Sequence, residues 1–304
     1  MYFTMKHNMK NKYNITNMNE NKQSNNNVEK FNLLQFDYEF YKKIYTDLEK
    51  ENIITKQECV AHYLTCGMKE DRCCNEQEMI KRYEKNKENA TKQMFSYPRI
   101  KPEPVKLNIL IRTSNRPAYF EKCIQSVLNQ EYYNYHVYIT YDDDLSLNYL
   151  KKYESNPKIT FFHVNIDSDK KYKFNLYCNL LLDKVNNGYI LFLDDDNTYL
   201  GNRVFEIINK ELENNSVLCW KFLRPDKMIY PKDVQSNICL GEIDTSGVCF
   251  HVSLKKFSSW IDQQYGDFHF YKEIFKNSQK KKFINLTLNA TQFNNKIGNY
   301  GENQ

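Results

Sequence analysis

The spacing of apolar residues changes near residue 107. Upstream, residues 31–85 carry Phe36, Phe40, Ile44 and Leu48, then Val60, Tyr63 and Leu64, spaced as along one face of a helix. A short polar turn separates the two groups, which predicts a small helical module. Residues 1–30 are polar and Asn-rich without a period, and are expected to form a disordered arm. Residues 86–106 pass from Lys/Asn-rich to Pro98, Pro102 and Pro104, the composition of a linker. From 107 to 290, short apolar runs alternate with helical periods. The runs at 107–111, 137–141, 159–164 and 189–193 predict buried strands. Pro117 suits a first helical turn and predicts a helix to Asn129. Leu176, Leu180, Leu181 and Val185 predict another over 174–185. Beyond 215 the pattern is less regular, with strands at 217–222, 248–251 and 283–288 and helices near 253–261 and 267–276. Residues 291–304 are expected to be a tail. The fold class implied is α/β, a mostly parallel sheet with helices on both faces, preceded by the small helical module. Polar residues at the C-terminal ends of such strands are where ligands bind.

Composition narrows the function without naming it. Of 304 residues, 41% are hydrophobic and 15% aromatic, enough for a sizeable core, which excludes wholesale disorder. The net charge of +5 comes from scattered lysines, the pattern of a solvated surface and not of a nucleic-acid stripe. Nine cysteines at irregular spacing, with no paired CxxC, argue for reduced thiols and against a zinc site. No apolar run of about 20 residues predicts a membrane span. The N-terminus lacks an apolar signal core. The expected location is therefore cytoplasmic.

The strongest chemical signal is YILFLDDD at 189–196, a buried strand that delivers three carboxylates to the sheet edge. In extended chain, side chains i and i+2 point the same way. Asp194 and Asp196 can therefore converge on one cation while Asp195 faces away. Mg²⁺ or Mn²⁺ held by one or two carboxylates offsets the charge that grows on a departing diphosphate. The alternative is a solvated acidic turn; the buried strand before it favours metal binding. The second signal is RTSNRP at 112–117, a polar loop before a helix, which can hold a phosphate or a base carbonyl. The third is Asp142, Asp143 and Asp144 after the second strand. One carboxylate there could accept from a ribose hydroxyl or a uracil N–H, and one of the three is expected to cap the next helix.

The order and spacing of these signals resemble the nucleotide-sugar glycosyltransferases of the family 2 type. ILIRTSNRPAYFEKCIQSVLNQ is similar to that family's opening strand, loop and helix, and FNLYCNLLLDKVNNGYILFLDDDN to its donor-site helix and DxD strand. The resemblance covers roughly 107–277. It implies a GT-A fold, a UDP-sugar donor and a Mn²⁺ or Mg²⁺ cofactor. By position it places Thr113 and Arg116 at the nucleotide, Asp143 at the uridine, and Lys173 and Asn175 near the base or diphosphate. Asp194 and Asp195 join the donor set, and Asp194 and Asp196 hold the metal. Asp267, before the last helix, stands where the family supplies an inverting general base, although it lacks the usual neighbouring Glu. Asp244 is its rival. His251 and His269 are weaker candidates for a third metal ligand. The implied reaction is hexosyl or deoxyhexosyl transfer to a glycan or protein hydroxyl. The other readings are a GT-A-like glycan- or partner-binding module without turnover, and a nucleotidyltransferase. RTSNRP supplies no glycine for the phosphate loop of the latter. In the N-terminal module, residues from Phe36 to Arg72 resemble a short helical repeat found beside glycosyltransferases, in which His62 and Arg72 are expected to be structural.

Overall fold

Strand β1 (Leu107–Thr113) sends Leu107, Ile109 and Ile111 into one hydrophobic core and Leu110 into a second on the opposite face. Strand β4 (Tyr189–Phe192) divides its residues the same way: Tyr189 and Leu191, with Leu193 just beyond, enter the first core, and Ile190 and Phe192 the second. The strands lie side by side and parallel, Leu110 against Phe192. A sheet covered on both faces needs apolar residues at odd and even positions alike, and Asn108, the one polar residue of the run 107–111, is buried with its amide donating to Asn187 O and Tyr189 O at 2.8 and 3.0 Å.

These strands belong to a computed structural model that describes residues 35–99, 102–166, 169–226, 228–232 and 238–292. The arm expected over 1–30 and all but two residues of the expected tail lie outside the described residues. The other strands are β2 (Tyr135–Tyr141), β3 (Ile159–His163), β5 (Asn197–Tyr199), β6 (Val217–Leu223), β7 (Ile229–Tyr230), β8 (Val248–His251) and β9 (Lys281–Thr291). The sheet runs β3-β2-β1-β4-β8-β6-β9-β5, with β7 beside β6. The half from β3 to β4 is parallel throughout. Beyond β4 the pairing is antiparallel, except that β6 and β9 run parallel. The irregular pattern after residue 215 corresponds to this mixed half.

Helices cover both faces. The first core receives Phe120, Cys123, Ile124 and Val127 from α5 (Pro117–Leu128), Leu150 from α6 (Asp144–Leu150), and Val204, Phe205, Ile207 and Ile208 from α8 (Val204–Glu211). The second receives Cys178, Leu181 and Leu182 from α7 (Lys173–Asp183), and Phe270, Tyr271, Ile274 and Phe275 from α9 (Gly266–Asn277). Pro117 is the first residue of α5, where a missing N–H costs nothing. The helix expected over 253–261 is a short 3₁₀ turn, Val252–Phe257.

Upstream lie α1 (Tyr38–Ile44), α2 (Asp47–Lys50) and α3 (Lys56–His62), then the long α4 (Glu76–Ser96). A reciprocal capping box of Thr55 and Glu58 starts α3. Tyr41, Leu48, Cys59 and Tyr63 close a small core of their own. His62 and Arg72 have structural partners: His62 Nδ1 lies 3.0 Å from the Tyr41 hydroxyl, and Arg72 forks onto Asp47 at 3.1 and 2.6 Å. The stretch expected to be a linker is helical as far as Ser96, and Ala90 and Met94 of α4 enter the first core. Buried Arg203 donates to the carbonyls of Met94, Phe95 and Tyr97 at 3.2–3.3 Å, a cation on the negative end of α4. The Tyr83 hydroxyl donates to Thr291 O at 2.7 Å. A Lys/Asn-rich surface with few apolar residues reads as a linker until the domain it packs against is known. Among the described residues, no helix is long and apolar enough to cross a membrane.

Candidate active site

The alternation that builds the two cores also sorts the acids. Continuing the register past Leu110 and Phe192 sets Arg112 beside Asp194 on the second-core face, and Thr113 beside Asp195 on the first. The contacts follow this division. Arg112 Nη2 lies 2.9 Å from Asp194 Oδ1. Thr113 Oγ1 donates to Asp195 Oδ2 at 2.7 Å. Arg116, at the start of α5, grips the same carboxylate as a fork, through Nη2 to Oδ1 and through Nε to Oδ2 at 3.2 Å. Its Nη1 reaches Asp196 Oδ2 at 3.4 Å.

Asp195 faces the protein interior. It has no exposed surface and both oxygens are taken, so it anchors the loop 112–117 to the end of β4. Thr113 is 3% exposed and committed to Asp195 and the Tyr149 hydroxyl. Thr113 and Arg116 hold Asp195 in place, and Arg112 and Arg116 each keep 16% of their side-chain surface.

Asp143 is the N-cap of α6, accepting from Ser146 N at 2.5 Å, while its Oδ2 lies 3.5 Å from Ser114 Oγ. It fills the capping role expected of one of the three acids. Asp142 accepts from the Tyr177 hydroxyl at 2.7 Å, and Lys173 Nζ lies 3.5 Å from the same oxygen. Lys173 thus sits at the rim, at the start of α7. Asn175 is 4% exposed and donates to Ile261 O at 3.2 Å and Gln263 O at 3.0 Å. It laces α7 to the segment before α9, and its Oδ1 accepts from Arg112 Nη1 at 3.5 Å.

Asp244 and Asp267, over 40 residues from β4 in sequence, enter the same electrostatic neighbourhood. Burial pushes the Asp244 carboxyl up to about 7, the Asp194 charge adds to this, and the Ser246 N–H at 2.8 Å opposes it. Burial also raises Asp267. Its hydrogen bond from Phe268 N at 2.8 Å works against the shift and the Asp194 charge works with it. Asp196 is raised by burial and by Asp194, with Arg116 opposing. Ser246 receives the Asp194 N–H on its Oγ at 3.1 Å, which ties the 244–246 turn to the acid strand.

His251 pairs with Tyr189 at the opposite end of β4 from the acids, with its Nδ1 on Ser253 Oγ at 2.8 Å, so the antiparallel register removes it from the site. His269 lies beside the Gln263 amide at 3.3 Å. Among the described residues, no group of three or more His, Cys, Asp or Glu forms a metal cage. Asp194 and Asp196 keep 18% and 20% of their side-chain surface. Each gives one oxygen to an arginine, so Asp194 Oδ2 and Asp196 Oδ1 remain as hard acceptors, with Asn197 Nδ2 3.5 Å from the latter. That fits a Mg²⁺ or Mn²⁺ ion which takes its other ligands from phosphate and water.

Arg112 is the functional residue the sequence reading did not single out. Besides Asp194 it contacts Phe174 O at 3.1 Å, and its guanidinium lies 5.0 Å from the Phe174 ring centre. The available signal was the one charged residue of β1, on the face that leads to Asp194.

A mixed α/β sheet with helices on both faces, and with acids and arginines gathered at the C-terminal end of its central parallel strands, is an architecture of the GT-A type. The sequence profile of Glycosyl transferase family 2 matches residues 108–287, more than half of the chain, and the protein belongs to that family. Among solved structures it is similar to S. aureus TarS 1-349, at 15% identity and a TM-score of 0.52, over 62% of this chain and 60% of that one. The same TarS fragment in complex with UDP-GlcNAc matches at 14% identity and a TM-score of 0.51, over 65% of this chain and 60% of that one. The match thus spans about three fifths of the TarS fragment.

Proposed function

We propose that this chain transfers a hexosyl or deoxyhexosyl unit from a UDP-sugar to a hydroxyl of a glycan or protein, with inversion at the anomeric carbon. The observation that carries the reading is the pairing of Arg112 with Asp194, with Asp196 and Asp267 close enough to act on the same guanidinium and Asp244 tied through Ser246 to the acid strand. The TarS fragment, of the same fold, has been solved with UDP and with UDP-GlcNAc. The nucleoside end would lie against the end of β2, with Asp143 Oδ2 as its acceptor. The diphosphate would lie near Asp196 and Arg116. Asp196, with Asp194, would hold Mn²⁺ or Mg²⁺, which when bound offsets charge on the leaving diphosphate.

Asp267 would accept the proton of the acceptor hydroxyl. The hydroxyl oxygen bonds to the anomeric carbon as the bond from that carbon to the phosphate oxygen breaks, and UDP departs with the electron pair. A carboxyl raised by burial is a stronger base than a solvated aspartate once ionised, which suits this role. Asp244 stands next in line as base.

Calorimetry with UDP, with and without Mn²⁺, tests the donor reading: metal-dependent binding is expected, and no binding with the metal present overturns it. A non-catalytic glycan-binding role is the second reading, favoured by the guanidiniums already paired with Asp194 and Asp196. Slow, metal-dependent release of UDP from a UDP-sugar refutes that alternative.

A further inference from the structure

Five non-glycine residues among the described ones have positive φ: Asn52, Asp71, Asn115, Asn215 and Tyr265. The first four are Asn or Asp, whose short polar side chains tolerate the left-handed region. Tyr265, at φ 59° and ψ 36°, is the bulky exception. Burial does not compensate for it, since the residue is 52% exposed. Among the described residues its hydroxyl has no hydrogen-bond partner. A strained backbone that carries a half-exposed ring, with no hydrogen bond to its hydroxyl among the described residues, points to a role outside the fold.

The surroundings place that role. Tyr265 immediately precedes Gly266 and Asp267, the candidate base at the start of α9. Gly266 packs closely on α7, where a Cβ would lie 2.4 Å from Asn175 Nδ2 and force that amide to shift. Asn175 is in turn bound to Ile261 O and Gln263 O, and Tyr172 N donates to Asp262 Oδ1 at 2.5 Å. The segment 261–266 is therefore laced to the start of α7, and the strained turn is held from outside itself. On these two laced segments Phe174 and Ile261 are also exposed, at 44% and 41%. Phe174 lies beside Arg112, which pairs with Asp194. An apolar rim thus links the acid end of β4 to Asp267.

We propose that Tyr265 is an acceptor-recognition residue, its ring the stacking platform for the pyranose that presents its hydroxyl to Asp267. The proposal rests on the glycosyl-transfer reading above. A pyranose has an apolar C–H face and a rim of hydroxyls. An aromatic ring takes the face, and neighbouring carboxylates take the rim. Asp267, two residues on, and the Asp194 charge that acts on it disfavour an anionic partner, and a purely apolar one would leave them unmatched. A neutral sugar ring meets both requirements.

The test uses saturation-transfer NMR on the full chain with UDP and Mn²⁺. The probes are the methyl glycosides of glucose, galactose, mannose and N-acetylglucosamine. At least one glycoside should be saturated by the wild-type protein. Tyr265→Phe should keep the signal, whereas Tyr265→Asn should weaken affinity by about tenfold. Because Asn tolerates the left-handed region, Tyr265→Asn should melt at the same temperature as the wild type or higher, which a structural role for the ring would not allow. Full signal in Tyr265→Asn overturns the proposal, as does the absence of any saturated glycoside in a wild-type sample that binds UDP. Calorimetry of UDP and Mn²⁺ on that sample separates the two readings, since failure there removes the donor assignment and the platform with it.

Discussion

Replacing Asp195 with Asn should unlock the loop that carries Arg116. The Asp195 carboxylate is wholly buried, accepts from Thr113 at 2.7 Å and is forked by Arg116 through Nε and Nη2. Breaking a buried ion pair from one side costs about 3–5 kcal/mol, because the remaining charge loses its partner. Asn keeps an oxygen for Thr113, and Arg116 is 16% exposed and has Asp196 at 3.4 Å, so the lower end, about 3 kcal/mol, is expected. At about 2–4 °C per kcal/mol for a domain of this size, the melting temperature should fall by about 6–12 °C. Arg116 freed from Asp195 should also compete for Asp196, so Mn²⁺-dependent UDP binding should weaken. Thermal melts of Asp195→Asn, Arg116→Met and the double variant form the assay. The two losses should be far from additive, with a coupling of at least about 1 kcal/mol. A fall of less than about 2 °C in Asp195→Asn, or additive losses, would refute the anchoring role.

Asp267→Asn keeps the shape and removes the basic lone pair, so turnover should drop by about 10²–10⁴-fold with UDP and metal affinity little changed. Near-normal turnover there, with loss in Asp244→Asn, would move the base to Asp244, and a product that retains the donor's configuration would exclude single displacement. Asp196→Ala should lose metal-dependent UDP binding as well as turnover, measured by calorimetry with Mn²⁺. Asp244 titrates near 7 when folded, above the ordinary aspartate range, so the native state favours its protonated form. Its ionisation costs stability progressively as pH rises from about 4 to 7. Asp244→Asn, without ligands, should therefore melt above the wild type near pH 8 and level with it near pH 4; a constant difference at both pH values would contradict the raised carboxyl.

Much of this protein is decided locally. The short apolar runs at 107–111 and 189–193 read as strands buried on both faces, and the i, i+2 geometry already separates Asp195 from Asp194 and Asp196. Pro117 marks the start of α5, and the order of loop, acids and DxD strand is legible without coordinates. What a strand's own period cannot say is which distant residue stands beside it. Arg112 meets Asp194, and Thr113 with Arg116 seals Asp195, because β1 and β4 pair in a particular register. The antiparallel register of β8 puts His251 at the wrong end of β4, a fact no spacing in the chain contains. Asn175 looks like a donor residue by position, yet its amide is spent on carbonyls 86 and 88 residues away. Asp143 could be a ligand group or a cap until the start of α6 is placed against it. Local sequence sets the direction in which each side chain leaves its own strand or helix; ion pairs, buried amides and raised carboxyls are properties of two segments at once, and only the packing of those segments determines them.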